Sequence, residues 1–408
     1  MRAVALTGAA SVLSLLLVGN APTLAGETFS LASGRPDTPA YAAGVGLSSL
    51  IKFELLPKAK IDLQARQSSG PVENVRLLRQ GDVDLAILPA AIGHAARLGT
   101  GSFAGDAPAT GLRAIATLWR DALHLVVRAD EVATGTIDDL AHLKARRLFL
   151  GEASTGMPDA SRLLLADLGM DADRSFTLTT LVDGDGIAAI KRGEVDAFSA
   201  TVRPPEAMFD AVFEDAAAGL RLLDVTEPQM TRANGNHWLW TPYLIPAATY
   251  PGQKEDIRTI ALSSLLLVRD DIEPDAVYAM TRSIFENLSY LKRIDPSMAD
   301  LSLDTALAGV AMPLHGGALR YYSEAGLLPM TAGDTTPSPT PVGQEDDLPG
   351  AVPTEHYPDD DVADGWTGGL GGPLLRSKTT DVPPGTGEPA ASGVGERRGG
   401  DWWRRATI

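Results

Sequence analysis

A two-lobed α/β protein with a central cleft is what this sequence predicts, on three observations. Short apolar strands alternate with helical patterns, one helix–turn–strand unit occurs twice, and the chain is long and apolar enough to fill two cores. The alternation runs Thr28–Ala32, Tyr41–Phe53, Ile61–Ala65, Val72–Arg79, Leu85–Leu88 as strand, helix, strand, helix, strand. This is the rhythm of a mostly parallel sheet covered on both faces. The repeated unit ends in Gly81-Asp82-Val83-Asp84 before Leu85–Leu88, and again in Gly193-Glu194-Val195-Asp196 before Ala197–Ala200. In both, a helix stops at a glycine able to take positive φ and an acidic turn feeds a buried strand. Further on, Val277, Met280, Ile284, Leu288 and Leu291 recur at steps of three and four after Pro274, which predicts one amphipathic helix whose apolar face is core.

Segment boundaries follow from composition. Residues 1–25 read as a secretory signal: Met1-Arg2, an apolar run from Ala3 to Val18, and a small-residue end at Thr23-Leu24-Ala25. That run is short for a ~30 Å hydrocarbon core, so cleavage is expected rather than a retained anchor, and the mature chain is expected in the periplasm or another extracytoplasmic space. Residues 26–124 and 238–330 are assigned to one lobe and 125–237 to the other, with Leu125–Arg128 and Trp238–Leu244 as the expected hinge strands. From Thr331 to Ile408 there are 10 Pro and 14 Gly without apolar periodicity, the composition of a disordered tail. Its end, Arg397-Arg398 to Trp402-Trp403-Arg404-Arg405, reads either as a solvated terminus or as a contact for anionic lipid headgroups.

Several function classes are excluded by the residues themselves. A formal net charge of −17 opposes binding to nucleic acid. With no cysteine, the chain has no disulfide framework, thiol nucleophile or lipid-attachment thiol. No His-Glu-x-x-His pair, Gly-x-Ser-x-Gly elbow or metal-ligand cluster occurs in it, so no catalysis, metal or cofactor is expected.

Three strand-to-helix junctions have the composition of anion-capturing corners, because the first amides of a helix lack partners within it and sit at the positive end of its dipole. The first carries Ser33, Gly34, Arg35 and Tyr41; the second Ser68, Ser69 and Asn74; the third Ser154, Thr155 and Gly156. Ordinary helix capping explains any one of them equally well. Arg203, after the strand Val195–Ala200, is the candidate carboxylate clamp, its planar fork matching a carboxylate in two hydrogen bonds, with a structural salt bridge as the other reading. Trp119, His124, Trp238, Trp240 and Tyr243 are assigned either to a pocket wall or to the core.

Ser69-Gly70-Pro71-Val72-Glu73-Asn74, Gly81–Leu88 and Leu123–Arg128 together resemble the substrate-binding subunits of tripartite ATP-independent periplasmic (TRAP) transporters, in the TAXI subfamily. Ile245–Gln253, Tyr278 with Phe285-Glu286-Asn287, and Met312–Ala318 with Tyr321-Tyr322 extend the resemblance over nearly all of 27–330. It implies a periplasmic binding protein of the type II-like, two-lobed fold. Such a protein hands glutamate or another small carboxylate to integral membrane permease subunits, and its cleft is lined by the three junctions. Other occupations open to the same architecture are an extracytoplasmic sensor and a periplasmic enzyme. The chain departs from the family in carrying Pro71 for a serine, Pro89-Ala90-Ala91 for a Gln/Asp-bearing stretch, and Ser154-Thr155-Gly156-Met157-Pro158 for a Gly-Ser-Gly-Thr stretch. These changes remove polar contacts and admit a more apolar carboxylate.

Overall fold

A computed structural model describes residues 26–143, 146–181, 185–214, 219–235 and 237–328; the signal segment and the Pro/Gly-rich tail lie outside them. The strands are β1 Glu27–Ala32, β2 Ile61–Arg66, β3 Leu85–Pro89, β4 Leu112–Arg128, β5 Arg147–Phe149, β6 Thr177–Leu178, β7 Ala197–Val202, β8 Leu220–Leu222, β9 Trp240–Ile245 and β10 Ile257–Arg269. The helices are α1 Pro39–Glu54, α2 Leu56–Ala59, α3 Pro71–Gln80, α4 Ala90–Leu98, α5 Met157–Asp167, α6 Ala172–Ser175, α7 Gly186–Lys191, α8 Asp210–Glu214, α9 Glu227–Asn234, α10 Pro274–Glu286, α11 Leu288–Ile294 and α12 Gly316–Glu324.

The fold class is the expected one, an α/β protein of two lobes about a cleft. Its sheet is mixed rather than mostly parallel, in the order β2-β1-β3-β10-β4-β7-β5-β6, with β8 beside β4 and β9 beside β10. β1, β2 and β3 run parallel in one half, and β5, β6 and β7 run parallel in the other. The long strands β10 and β4 run antiparallel to these sets and to each other. Each parallel set is thus closed by a strand that continues into the opposite half, and a continuing strand has to meet its neighbours head to tail.

The two halves share a device that the repeated sequence unit encodes. Gly81 and Gly193 end their helices at φ 75° and 71°. This left-handed geometry suits a residue without Cβ. The aspartate three residues later then pins the adjacent parallel strand: Asp84 accepts from the Ser30 amide at 2.8 Å, and Asp196 from the Arg147 amide at 2.9 Å. The backbone returns the bond in each case, the Asp84 amide donating to the Ser30 carbonyl and the Asp196 amide to that of Arg147. A carboxylate holding backbone N–H groups at a strand's entry fixes the register of β3 against β1 and of β7 against β5.

Packing adjusts several boundaries. The predicted helix after Pro274 is two helices, α10 and α11, with Asn287 at φ −122° between them, yet Val277, Met280, Ile284 and Leu291 keep one buried face. Ile245, Tyr250 and Ile257 pack with Phe198 and Phe209 in a separate apolar cluster around β7, although the sequence division places them in the first lobe. Leu125–Arg128 and β9 are likewise held within the second half's sheet, by β7 and β8 and by the first part of β10. The strand segments common to both halves lie instead where Trp119–Ala122 faces Ala261–Ser264, next to register shifts between Ser264 and Leu265 and between Leu266 and Leu267.

His124 belongs to this second core. Its Nδ1 donates to the Ala122 carbonyl at 3.0 Å and its Nε2 accepts from the Tyr250 hydroxyl at 2.6 Å, an assignment the carbonyl enforces because it can only accept. Burial holds its pKa down to about 4. The neutral ring is therefore favoured in the folded state; its contribution is complete above the unfolded value near 6.5 and is lost as pH falls towards 4. Denaturation at pH 7.5 and pH 5.0 is expected to show about 2 kcal/mol less stability at the lower pH from this residue. A His124→Gln variant with the same pH dependence as wild type would remove His124 as the cause.

Candidate functional site

The carboxyl ends of β1, β2 and β3 in one half and of β5 and β7 in the other converge on the crossing of β4 and β10, where open α/β sheets form their crevices. The result is a chamber of about 860 Å³. Its floor comes from the long strands, through Trp119, Asp121, Leu262 and Ser264. Its sides are the loops after the shorter strands, and Pro296, Ala299 and Asp300 add a further edge.

Ser33, Gly34, Arg35, Ser69, Ser154, Thr155, Gly156 and Arg203 stand in the chamber wall. Several of their polar groups already serve the protein. The Ser33 hydroxyl donates to the Arg66 carbonyl at 3.1 Å, and the Thr155 hydroxyl to that of Glu152 at 2.6 Å. The Ser69 amide is capped by the Glu73 carboxylate, whose pKa is lowered by that residue's hydroxyl and amide. Arg35 donates to Glu152 at 3.1 Å and to the Ser154 hydroxyl at 2.8 Å, and pairs with Asp37 at 3.4 Å. Its charge is compensated at the mouth of the chamber rather than held open for an anion.

Tyr41, Ser68 and Asn74 stand outside the wall. Tyr41 is half-buried on α1, and the Ser68 hydroxyl is buried without a partner. Asn74 is fully buried on α3, its Nδ2 donating to the carbonyls of Ser33 at 3.0 Å and Ile87 at 2.8 Å. Asn74 is therefore a strut: it ties the ends of β1 and β3 together and so sets where the Ser33 corner points.

Arg203 differs from Arg35. Its Nη1 donates to the Ser297 carbonyl at 2.9 Å, and among the described residues no carboxylate lies within ion-pairing distance of it. A guanidinium in a chamber wall, anchored through one nitrogen, presents its remaining N–H groups to whatever enters.

The sequence reading missed the chamber's acids. Asp37, Asp121, Glu152, Glu206 and Asp300 line it, against two arginines. Asp121 is the deepest placed. Burial pushes its carboxyl up to about 6, against hydrogen bonds from Ser264 and Trp119 and the charge of Arg203, which lower it. One signal was present: Arg120-Asp121 is the sole charged pair inside an otherwise apolar strand, between Leu112-Arg113 and Arg128. Of the aromatic candidates, Trp119 and Tyr243 reach the wall; His124 and Trp240 are core, and Trp238 is 58% exposed.

The halves touch above the chamber. The Ser102 amide and hydroxyl donate to Asp159 at 2.9 and 2.8 Å. Gly70, at φ 141°, lies so close to the Ser154 carbonyl that a Cβ would sit 2.5 Å from that oxygen. Among the described residues no helix is long and apolar enough to cross a membrane, and no group of three His, Asp or Glu side chains is placed to hold a metal ion.

Fold and site together define a two-lobed α/β protein with an internal chamber between its halves. The chain belongs to the NMT1-like family, whose sequence model matches residues 31–326. It is similar to the periplasmic aliphatic sulphonate binding protein SsuA from Escherichia coli at 14% identity, over 75% of this chain and 95% of that one, with a TM-score of 0.40. It is also similar to a TctC solute binding protein from Polaromonas, at 14% identity over 67% and 86% of the two chains and a TM-score of 0.41. A third similar structure is PhnD1 from Prochlorococcus marinus in complex with methylphosphonate, at 15% identity over 67% and 90% and a TM-score of 0.39.

The contact at Gly70 sets an expectation. Gly70→Ala places a methyl against the Ser154 carbonyl and strains the backbone, at a cost above about 1 kcal/mol. A lower melting temperature and a larger radius of gyration by small-angle scattering are expected; a variant that matches wild type in both would mean that the halves do not meet there.

Proposed function

We propose that this protein is the extracytoplasmic solute-binding subunit of a TRAP transporter of the TAXI type, capturing a small organic anion for integral membrane permease subunits. One observation carries the reading: Arg203, a guanidinium in the wall of the chamber, has no carboxylate partner among the described residues. The volume of about 860 Å³ falls within the range of small-molecule sites. The signal-like first 25 residues support export, and the TAXI-like motifs support the choice of transporter.

On this reading the solute's carboxylate docks on Arg203, with amides of the surrounding corners as further donors, while the Ser154 hydroxyl stays on Glu152 and the Ser69 hydroxyl on Glu73. Bulges in the paired long strands supply the bend about which the lobes close. The division that fits this motion runs through residues 119–122 and 261–264, with β9 and the start of β10 moving with the β7 half. Closure excludes water and strengthens each charge-assisted bond.

A thermal-shift panel of small carboxylates identifies binders, since a ligand raises the melting point by mass action. For any binder, Arg203→Ala is expected to weaken affinity roughly ten- to a hundredfold, the ~1.5–3 kcal/mol of a charge-assisted hydrogen bond. Calorimetry showing unchanged affinity would remove Arg203 from the site.

A further inference from the structure

The outer side of α1 carries a strip that neither the core nor the chamber uses. Ala43, Leu47, Leu50 and Ile51 turn inward, which leaves Val45, Ser49, Lys52 and Phe53 exposed along the opposite side. Phe53 is 74% exposed. Ile294, at the end of α11, continues the strip: a Cβ on Gly46 would lie 3.4 Å from its Cγ2. Exposed apolar side chains scattered singly are ordinary, but three of the five large ones among the described residues, Val45, Phe53 and Ile294, fall here. None of the three lines the chamber.

The charge of the strip is opposite to that of the protein. Lys52 on α1, Lys60 after α2, and Lys292 and Arg293 on α11 form no ion pair among the described residues. The one acid on α1, Glu54, is taken by Lys58 at 2.7 Å, α2 and α11 have none, and Asp295 after α11 is buried on Ser297. Several surface arginines elsewhere are neutralised, as Arg192 is by Glu194 and Arg320 by Asp275. A chain of formal net charge −17 thus keeps four cations without carboxylate partners on the elements that expose its phenylalanine.

We propose that this strip adsorbs to anionic phospholipid headgroups and holds the exported protein against a membrane surface. Cations and an exposed aromatic ring on one helical side are the composition of an interfacial contact: the ring enters the boundary between headgroups and acyl chains while the cations meet phosphate. Each Lys or Arg near an anionic surface contributes roughly fivefold in affinity. The acids elsewhere on the protein weigh little at contact, because at physiological salt they are screened beyond about 8 Å. A folded acidic partner would need a concave complement to this convex helix side, whereas headgroups are laterally mobile and need none. The proposal requires export but no particular solute, so it stands apart from the reading of Arg203.

The test is partitioning of the exported protein onto phosphatidylcholine vesicles with and without phosphatidylglycerol, read by co-sedimentation. Phosphatidylglycerol is expected to raise binding at least about tenfold, and raising salt from roughly 0.05 M to roughly 0.5 M to remove the gain. Lys52→Glu combined with Arg293→Glu should weaken binding to the anionic vesicles at least about tenfold. Phe53→Ser, which leaves net charge unchanged, should weaken it severalfold. Lys254→Glu, at an exposed cation between β9 and β10, should match wild type. All four positions are exposed, so the fold is expected to be kept, and an unchanged melting temperature checks it. Binding no tighter to anionic than to neutral vesicles overturns the proposal, and that comparison needs no variant. Binding that survives both the double reversal and Phe53→Ser also overturns it, by placing the contact elsewhere in the chain. Equal weakening by Lys254→Glu does the same, by making net charge rather than the strip the cause.

Discussion

The antiparallel pairing of β4 with β10 is the constraint on which the rest depends. Each of these strands is long enough to belong to both halves, and each closes the parallel set of one half after crossing from the other. With two parallel sets joined in this way, the loops at their carboxyl ends face one gap. The chamber floor is therefore made of strand residues whose backbone is held by the sheet, while its sides are made of loops. Rigid backbone carries Asp121 and Ser264, and Arg203 enters from the loop that follows β7.

The corners of the chamber are positioned by polar struts, Asn74 buried and Asp84 and Asp196 half-buried, rather than by apolar packing alone. Asp84 and Asp196 fix the entry of one strand in each half, and Asn74 binds the ends of β1 and β3 from the helix behind them. These groups make directional bonds in a medium of low dielectric, so small displacements of them are costly. The wall residues can then use their own hydroxyls locally, as Ser33 and Thr155 do, without loss of the chamber's shape. Among the described wall residues, Arg203 is the guanidinium left without a carboxylate partner.

Legibility divided by the range of the interaction. The Gly81 and Gly193 turns, the strand β3 and the helix start at Pro274 follow from neighbours a few residues away, and they could be read directly. Asn74 carries the same capping signature as its neighbours, and nothing local tells a side chain that turns inward to three strand-end carbonyls from one that meets a solute. Arg35 and Arg203 look alike as residues beside a proline. Their difference is Glu152, 117 positions from Arg35 and opposite it across the cleft.

By itself the sequence determined the α/β class, the duplicated unit and the three corners, because strand period, helix caps and glycine turns are encoded within a few residues of where they act. Only the tertiary structure decided the direction of the long strands, which arginine is neutralised, and that Asp121 stands in the chamber. Those are outcomes of contacts between segments more than a hundred residues apart, and charge compensation and desolvation have no period along a chain.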